Sequence, residues 1–363
     1  MNAQPEVQKP RVTKVTKNRI RVDYEGKMPF WQRFKQKVFS TYFLTQVVWY
    51  FFRLVLMIGV SFVILFPFFS KVAGSFMGYQ DFVDVTVRVI PKNFTFATYK
   101  AILLENNYFD AFLNTTLLSL SAAIIQTFVC TLIGYGLAKF KFRGSGLVML
   151  LVVLTMIIPH ETLKFSMQTH FRYFDFGGLQ AFLDEEGVRR IPGILQIFGA
   201  DIGELSLLNT FAPLLIISAT GLAFKNGLYI FMMRQFFRGV PDELEESAYV
   251  DGAGTMRTFF SIILPLSVPM MITIFLFAFS WQWTDDFYTS TQLFFPVGVD
   301  KMILMPDIVD IPASLEMNYA GQSLFDTAIR NTAGIMIILP LVIVYLFCQK
   351  YLVQGIERSG IVG

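Results

Sequence analysis

The sequence predicts an all-α integral membrane protein with six transmembrane helices, and three observations carry that prediction. Of the 363 residues, 54% are hydrophobic and only 16% are charged, whereas about a quarter is charged in soluble domains. The chain contains 40 Phe, mostly within long apolar runs. Six segments approach the roughly 20 apolar residues that a helix needs to cross a bilayer core. We place these spans at residues 45–69, 109–138, 146–170, 207–233, 261–283 and 329–353.

Basic residues between the spans predict the orientation. With the N-terminus inside, 18 Lys and Arg side chains lie on the inner side and nine on the outer side. Cytoplasmic loops carry such an excess, so both termini are expected in the cytoplasm. We expect a basic cytoplasmic tail over 1–42, a first helix and outer loop over 43–108, a five-helix core over 109–353 and a cytoplasmic C-terminal tail over 354–363.

Ionisable residues inside spans are costly and usually face a protein interior or water. His160 and Glu161 follow Pro159, which breaks the backbone hydrogen bonding of the third helix. Broken membrane helices occur where the freed backbone groups line a cavity, so we favour a cavity-facing position for both side chains, with a position at the outer membrane interface as the alternative. Lys225 lies in the fourth span, where it either lines a pore or extends to the cytoplasmic surface.

The outer end of the fifth span reads FSWQWTDDFY. Trp281 and Trp283 offer flat apolar faces on which the C–H groups of a sugar stack, while Gln282 and Asp285 accept hydrogen bonds from its hydroxyls. Tryptophans also mark ordinary membrane interfaces, so an aromatic belt is the alternative interpretation.

Between the fourth and fifth spans lies an acidic stretch, PDELEESAYVDGAG. Its proline suits a helix start, its first carboxylates match the helix dipole, and Gly252 allows a left-handed end. The pattern predicts a short cytoplasmic helix and a turn into the fifth span. Ser247 and Ala248 are small enough for another backbone to approach, and Glu245 and Glu246 favour pairing with arginine. We interpret this face as a docking surface for a soluble partner.

The spacing within this stretch has a known counterpart. Glu246-Ser247-Ala248, three residues, Gly252, nine residues and Ile262-Ile263-Leu264-Pro265 resemble the EAA loop of ABC-importer permeases, E-A-A-x3-G-x9-I-x-L-P, with serine for the middle alanine. The segments IPKNFTFATYKAIL, AFLNTTLLSL, GYGLAKFKFRG and QKYLVQGIERSGIVG are similar to the smaller, six-helix subunit of carbohydrate-uptake permeases of the maltose type. The resemblance covers residues 50–363, except near 172–204, where this chain carries an extra outer segment.

The resemblance implies a type I ABC-importer permease in the bacterial cytoplasmic membrane. The short helix becomes a coupling helix within a cytoplasmic coupling loop, 234–260, and docks in a groove of an ATPase. Glu245 and Glu246 are expected to pair with the ATPase, Ser247 and Ala248 to pack in its groove, and Gly252 to make the turn; Asp251 belongs to the same coupling set. The implied partners are a second permease subunit, two ATPase subunits and an extracellular binding protein that delivers a sugar, and no nucleic acid.

No cofactor is expected in this chain itself. The sequence lacks the phosphate-binding pattern G-x4-G-K-[S/T], so ATP and Mg²⁺ are expected on the partner ATPase. Cys130 and Cys348 both fall inside spans, and His160 and His170 are ten residues apart, unlike the zinc-protease pattern. The sequence therefore predicts neither a metal site nor catalytic residues.

Two other classes of function compete with this interpretation. An ion-coupled secondary transporter would use His160, Glu161 and Lys225 as a relay, although no inverted repeat is visible. A membrane-embedded transferase would use Asp285 and Asp286 as metal-binding carboxylates, although the sequence arranges no further ligands around them.

Overall fold

The structure of the chain is a computed structural model that describes residues 12–15, 21–24, 31, 41–172, 174, 206–289, 293–295, 302–319 and 322–360. The chain divides into two units, Met1–Ser70 and Lys71–Gly363. The strands are β1 (Val12–Val15) and β2 (Arg21–Tyr24). The α-helices are α1 (Thr41–Ser75), α2 (Tyr79–Val83), α3 (Ala97–Glu105), α4 (Tyr108–Lys139), α5 (Ser145–Ile157), α6 (Lys164–Arg172), α7 (Ala212–Ala219), α8 (Asn226–Arg238), α9 (Glu243–Val250), α10 (Thr255–Thr258), α11 (Leu264–Trp283), α12 (Ala313–Tyr319) and α13 (Ser323–Gly360).

Four helical segments in the described part of the chain are long and apolar enough to cross a membrane. They are Thr45–Ser75, Tyr108–Lys139, Thr255–Trp283 and Ser323–Leu352. The third runs from α10 through a π-helical turn, Phe259–Ile263, into α11. These segments match four of the predicted spans and confirm the all-α membrane fold.

The other two predicted spans are interrupted. The third consists of α5 and the segment His160–Arg172, which meet at an angle of 93° on either side of Pro159. The fourth, predicted as one helix over 207–233, consists of the short helices α7 and α8. Gly221 and Lys225, between them, both have positive φ values, 76° and 71°, which no α-helix accommodates. Hydropathy alone does not detect this break.

The core of the second unit is built around α4. This helix packs against α8, α11 and α7. Gly134 permits a close crossing with α8, because a Cβ atom there would lie 2.5 Å from the Cβ of Met233. Trp283 anchors the end of α11 to α13, since its indole N–H donates to the carbonyl of Ile337 at 2.9 Å. These contacts join α4 to α8 and α11 to α13 within the core.

The first unit contains features that the sequence did not reveal. Strands β1 and β2 pair antiparallel, from Val12 opposite Tyr24 to Val15 opposite Arg21. The predicted all-α description therefore omitted a short hairpin in the N-terminal tail. In α1, Arg53 lies with its guanidinium 5.2 Å from the centre of the Trp49 ring. The apolar side chains of α1 are largely exposed, as expected of a helix that faces lipid.

Two predicted segments are only partly tested. The extra outer segment near 172–204 lies almost entirely outside the described residues. At the C-terminus, α13 continues to Gly360, so most of the predicted tail, 354–363, is helical.

Candidate functional site

A cavity of about 380 Å³ lies among the interrupted helices of the second unit. Its wall combines the bend after α5, helix α7 and the turn that follows it, the C-terminal end of α11 with the residues after it, and one residue of α4. Five of the seven residues predicted for a substrate pathway line it: His160, Glu161, Trp281, Gln282 and Asp285. The fold thus brings together residues that lie more than a hundred positions apart.

Pro159 places His160 and Glu161 at this wall. Helix α5 ends at Ile157, Pro159 is extended, and a single 3-10 turn begins at His160. The Nδ1 atom of His160 forms a hydrogen bond with the hydroxyl of Tyr288. The His160 ring also contacts Phe224 edge-on, with ring centres 5.0 Å apart.

Asp285 lies just beyond the end of α11. One of its carboxylate oxygens accepts hydrogen bonds from the backbone N–H groups of Phe287 and Tyr288, at 3.3 Å each. Gln282 approaches the other oxygen at 3.5 Å, which is long for a hydrogen bond. Burial raises the pKa of the Asp285 carboxyl to about 6. The cavity therefore contains a carboxyl group whose cost of ionisation is only partly offset by hydrogen bonds from its neighbours.

Lys225 stands beside the cavity. Its ammonium lies 4.3 Å from the centre of the Phe224 ring and 4.7 Å from that of Trp281. Both rings line the cavity, so the positive charge is held at the wall by two aromatic faces. Lys225 forms no ion pair with a carboxylate among the described residues.

Trp283 occupies a different environment from the other predicted pathway residues. It is buried in the core, where its ring meets Phe112 edge-on and its N–H is bonded to Ile337. Trp281, half exposed, faces the cavity instead. Two positions along an α-helix differ by about 200° in direction, which explains the contrast.

Sequence reasoning missed several lining residues. Gln126 of α4 lines the cavity and donates from Nε2 to the hydroxyl of Ser218 at 3.2 Å. A buried amide within an apolar span was a signal that could have identified it. Phe224 also lines the cavity, and the sequence did not place it among the pathway residues.

The chemistry of the lining suits a hydroxyl-rich ligand. Aromatic rings supply stacking surfaces, and amides and carboxylates supply hydrogen-bonding groups. Asp285 and Asp286 do not form part of a metal-binding cluster, because the described residues contain no group of three or more suitable His, Cys, Asp or Glu side chains.

A second candidate site is the elbow formed by α9 and the turn after it. Gly252 has a φ of 81°, the left-handed conformation expected there. Glu246, Ser247 and Asp251 are exposed, whereas Glu245 and Ala248 are buried against the rest of the chain. Of the six residues predicted for ATPase coupling, two therefore face inward.

The inward-facing Glu245 lies near a lysine of another helix. Its Oε1 atom is 3.7 Å from the Nζ of Lys139, the last residue of α4. The same ammonium donates to the carbonyl of Val240 at 2.7 Å and to Asp242 at 2.5 Å. The first turn of α9 is thus attached to α4 through one positive charge.

Exposed apolar side chains surround the outward face of the elbow. Val250 is 88% exposed, and Leu244, Tyr249 and Met256 are also exposed. Such side chains on a polar surface are typical of a protein-protein contact. These apolar side chains add to the small residues and carboxylates that the sequence pattern predicts for the docking surface.

Residues 130–358 match the family described as "Binding-protein-dependent transport system inner membrane component". The matched range contains the elbow and most of the cavity lining. The chain is 25% identical over 305 residues to the polygalacturonan/rhamnogalacturonan transport system permease protein YtcP of Bacillus subtilis, covering 82% of this chain and 92% of that protein. It is 24% identical over 312 residues to the arabinooligosaccharides transport system permease protein AraQ of the same organism, covering 84% and 92%.

A solved structure has a similar fold. A chain of a bacterial ABC transporter involved in the import of the acidic polysaccharide alginate superposes with a TM-score of 0.61 at 19% identity. The alignment covers 85% of this chain and 97% of that one. The likeness indicates that both chains share the permease fold.

Proposed function

Because the chain belongs to the family of binding-protein-dependent transport system inner membrane components, we propose that it is a permease subunit of an ATP-driven importer for a sugar or oligosaccharide. The observation that carries the proposal is the complete E-S-A-x3-G-x9-I-x-L-P spacing on an exposed cytoplasmic elbow. Relatives whose names refer to carbohydrate transport align with more than four-fifths of the chain. They support a carbohydrate as the substrate.

The elbow supplies the contact with the motor. The exposed Glu246 pairs with a basic residue of the ATPase, and the exposed Val250 and Met256 pack against its apolar surface. Gly252 turns the chain back toward the membrane. ATP and Mg²⁺ are bound by two copies of that ATPase, since this chain lacks a phosphate-binding loop.

The cavity supplies this subunit's part of the sugar pathway. Trp281 stacks against the apolar face of a sugar ring, and Gln126, Gln282 and Asp285 accept or donate hydrogen bonds to its hydroxyls. Glu161 and Asp286 add two further carboxylates to the lining, and Lys225 offsets only part of this charge. Like charges repel, so the lining favours neutral sugars over uronic acids.

The excess of basic residues on one side supports an orientation with both termini in the cytoplasm of a bacterial cell. A second permease subunit completes the pathway, and an extracellular binding protein delivers the sugar. ATP binding by the ATPase pair moves the elbow, and the helices attached to it alternate the access of the cavity between the two sides.

The elbow is tested with Glu246→Ala in the complex of both permease subunits and the ATPase. We expect normal membrane insertion but loss of ATP-dependent uptake of maltotriose and arabinotriose. Glu316→Ala is the matched control, because Glu316 is an equally exposed carboxylate on α12. Wild-type uptake by the Glu246→Ala variant at equal expression would remove this residue from the coupling surface.

A further inference from the structure

Lys139 ends α4 in an unusual environment. Its side chain is only 6% exposed, although lysine is almost never buried without a partner. Three oxygen atoms surround its ammonium: the carbonyl of Val240 at 2.7 Å, Asp242 Oδ1 at 2.5 Å and Glu245 Oε1 at 3.7 Å. All three belong to the first turn of α9 or to the three residues before it. The ammonium is therefore compensated by one short stretch of the elbow.

The attachment compensates a buried positive charge. A buried ammonium that loses its partners is costly, so Lys139 and its oxygen partners are held together. The hydrogen bond from Lys139 also holds the pKa of Asp242 below its usual value. Lys141, two residues further on, is exposed and forms no ion pair with Asp242. The attachment thus depends on Lys139 rather than on the general basic charge of this loop.

Helix α4 connects this attachment to the cavity. Gln126, which lines the cavity, lies thirteen positions before Lys139, and at about 1.5 Å per residue this spans about 20 Å. Between them the helix packs closely on α8 at Gly134. A displacement at the cytoplasmic end of α4 therefore reaches the cavity wall through one continuous helix.

We propose that Lys139 is a positioning residue that clamps the start of α9 to α4, so that movement of the elbow by the ATPase is transmitted to the cavity. This inference rests on the proposed importer function and goes beyond it, because it assigns the transmission step to one charge on a helix outside the EAA loop. Lys139 contacts neither sugar nor ATP in this account. Asp242 is its main partner and Glu245 its second.

The test compares variants of the reconstituted complex in proteoliposomes. Lys139→Met removes the charge and keeps most of the side-chain length, Lys139→Arg keeps the charge, and Lys141→Met is the matched control. Maltotriose or arabinotriose uptake and ATP hydrolysis are measured in the same vesicles, and the ratio of sugar imported to ATP hydrolysed is compared. This ratio reports coupling, whereas a merely structural role would change both rates together.

Lys139→Met is expected to lower the ratio at least about fivefold while the ATPase still co-purifies. Lys139→Arg and Lys141→Met are expected to keep the wild-type ratio. The Asp242 side chain is 79% exposed and lies outside the packed core, so Asp242→Asn should leave the fold intact and lower the ratio in the same direction.

A wild-type ratio in both Lys139→Met and Asp242→Asn would overturn the clamp and leave the importer function standing. Failure of the wild-type complex to import any sugar with ATP would overturn the importer function, and the clamp with it.

Discussion

The ammonium of Lys225 lies 4.7 Å from the centre of the Trp281 ring, across the space between the α7–α8 turn and the end of α11. This contact joins two interrupted parts of the fold at the cavity wall. It also places a positive charge within attractive range of the Trp281 ring. The contact therefore links the break in the fourth predicted span to the surface on which we place the sugar.

Trp281→Ala is expected to raise the sugar concentration for half-maximal uptake by up to about tenfold, since a lost aromatic stack costs on the order of 1 kcal/mol. Trp281→Phe should retain most of the affinity because it keeps a flat ring. Binding of the ATPase subunits should stay unchanged in both variants. An unaltered concentration dependence of uptake for every sugar tested would show that Trp281 belongs to an interfacial aromatic belt and not to the sugar pathway.

Asp285 should make the stability of the complex depend on pH. Its pKa is raised from 3.8 to about 6 in the folded chain, so the folded state holds an additional proton between those values. Stability should consequently fall as pH rises through this window and remain lower above it.

Asp285→Asn keeps an oxygen acceptor for the two backbone N–H groups but cannot ionise. Relative to wild type, it should gain more stability at about pH 7.5 than at about pH 4.5, by at most about 3 kcal/mol. Thermal unfolding in detergent at both pH values measures this difference. Asp286→Asn, at the exposed neighbouring carboxylate, serves as the control, and an Asp285→Asn effect independent of pH would contradict the assignment.

Gly134→Ala should destabilise the helix bundle. The added methyl group would meet the Met233 Cβ at 2.5 Å and the Arg234 backbone nitrogen at 3.0 Å, and overpacking of this kind costs about 1–3 kcal/mol. Gly136→Ala is the matched control on the same helix, because its nearest neighbour, Phe140, lies 4.0 Å away. Unfolding temperatures in detergent should separate the two variants, and equal stability would refute the close crossing of α4 and α8.

Val250→Asp should weaken binding of the ATPase by about tenfold or more, because it places an unpaired charge in an apolar contact. Val85→Asp is the control, since Val85 is 91% exposed on the loop that we place outside the membrane. The affinity of the purified permease pair for the ATPase gives a direct comparison. Equal affinities for the two variants would show that Val250 lies outside the interface.

Sequence patterns predicted the continuous elements well and the directions of side chains less well. Long apolar runs identify α1, α4 and α13, because a helix that crosses lipid must be largely apolar along its whole length. The break between α7 and α8 depends on the local conformations of Gly221 and Lys225, which hydropathy does not register. Composition alone predicts both Trp281 and Trp283 for the sugar pathway. The two side chains point in different directions from the helix, and only Trp281 faces the cavity.

In the elbow, too, the sequence predicts the position of the element but not the direction of every side chain. Its position and its turn at Gly252 follow from spacing within one short segment, and the structure has both. The inward direction of Glu245 depends on Lys139, more than a hundred positions earlier in the chain. Contacts between distant segments are not visible in a single sequence, so Glu245 and Glu246 could not be distinguished before the fold was known.

The most direct test of the importer function is uptake by the wild-type complex in proteoliposomes that carry no ion gradient. The complex is supplied with an extracellular binding protein and labelled maltotriose or arabinotriose, with ATP, a non-hydrolysable analogue or no nucleotide on the ATPase side. The account predicts accumulation only with ATP and the binding protein present. Accumulation that persists without ATP and follows an imposed proton or sodium gradient would contradict it and favour an ion-coupled transporter.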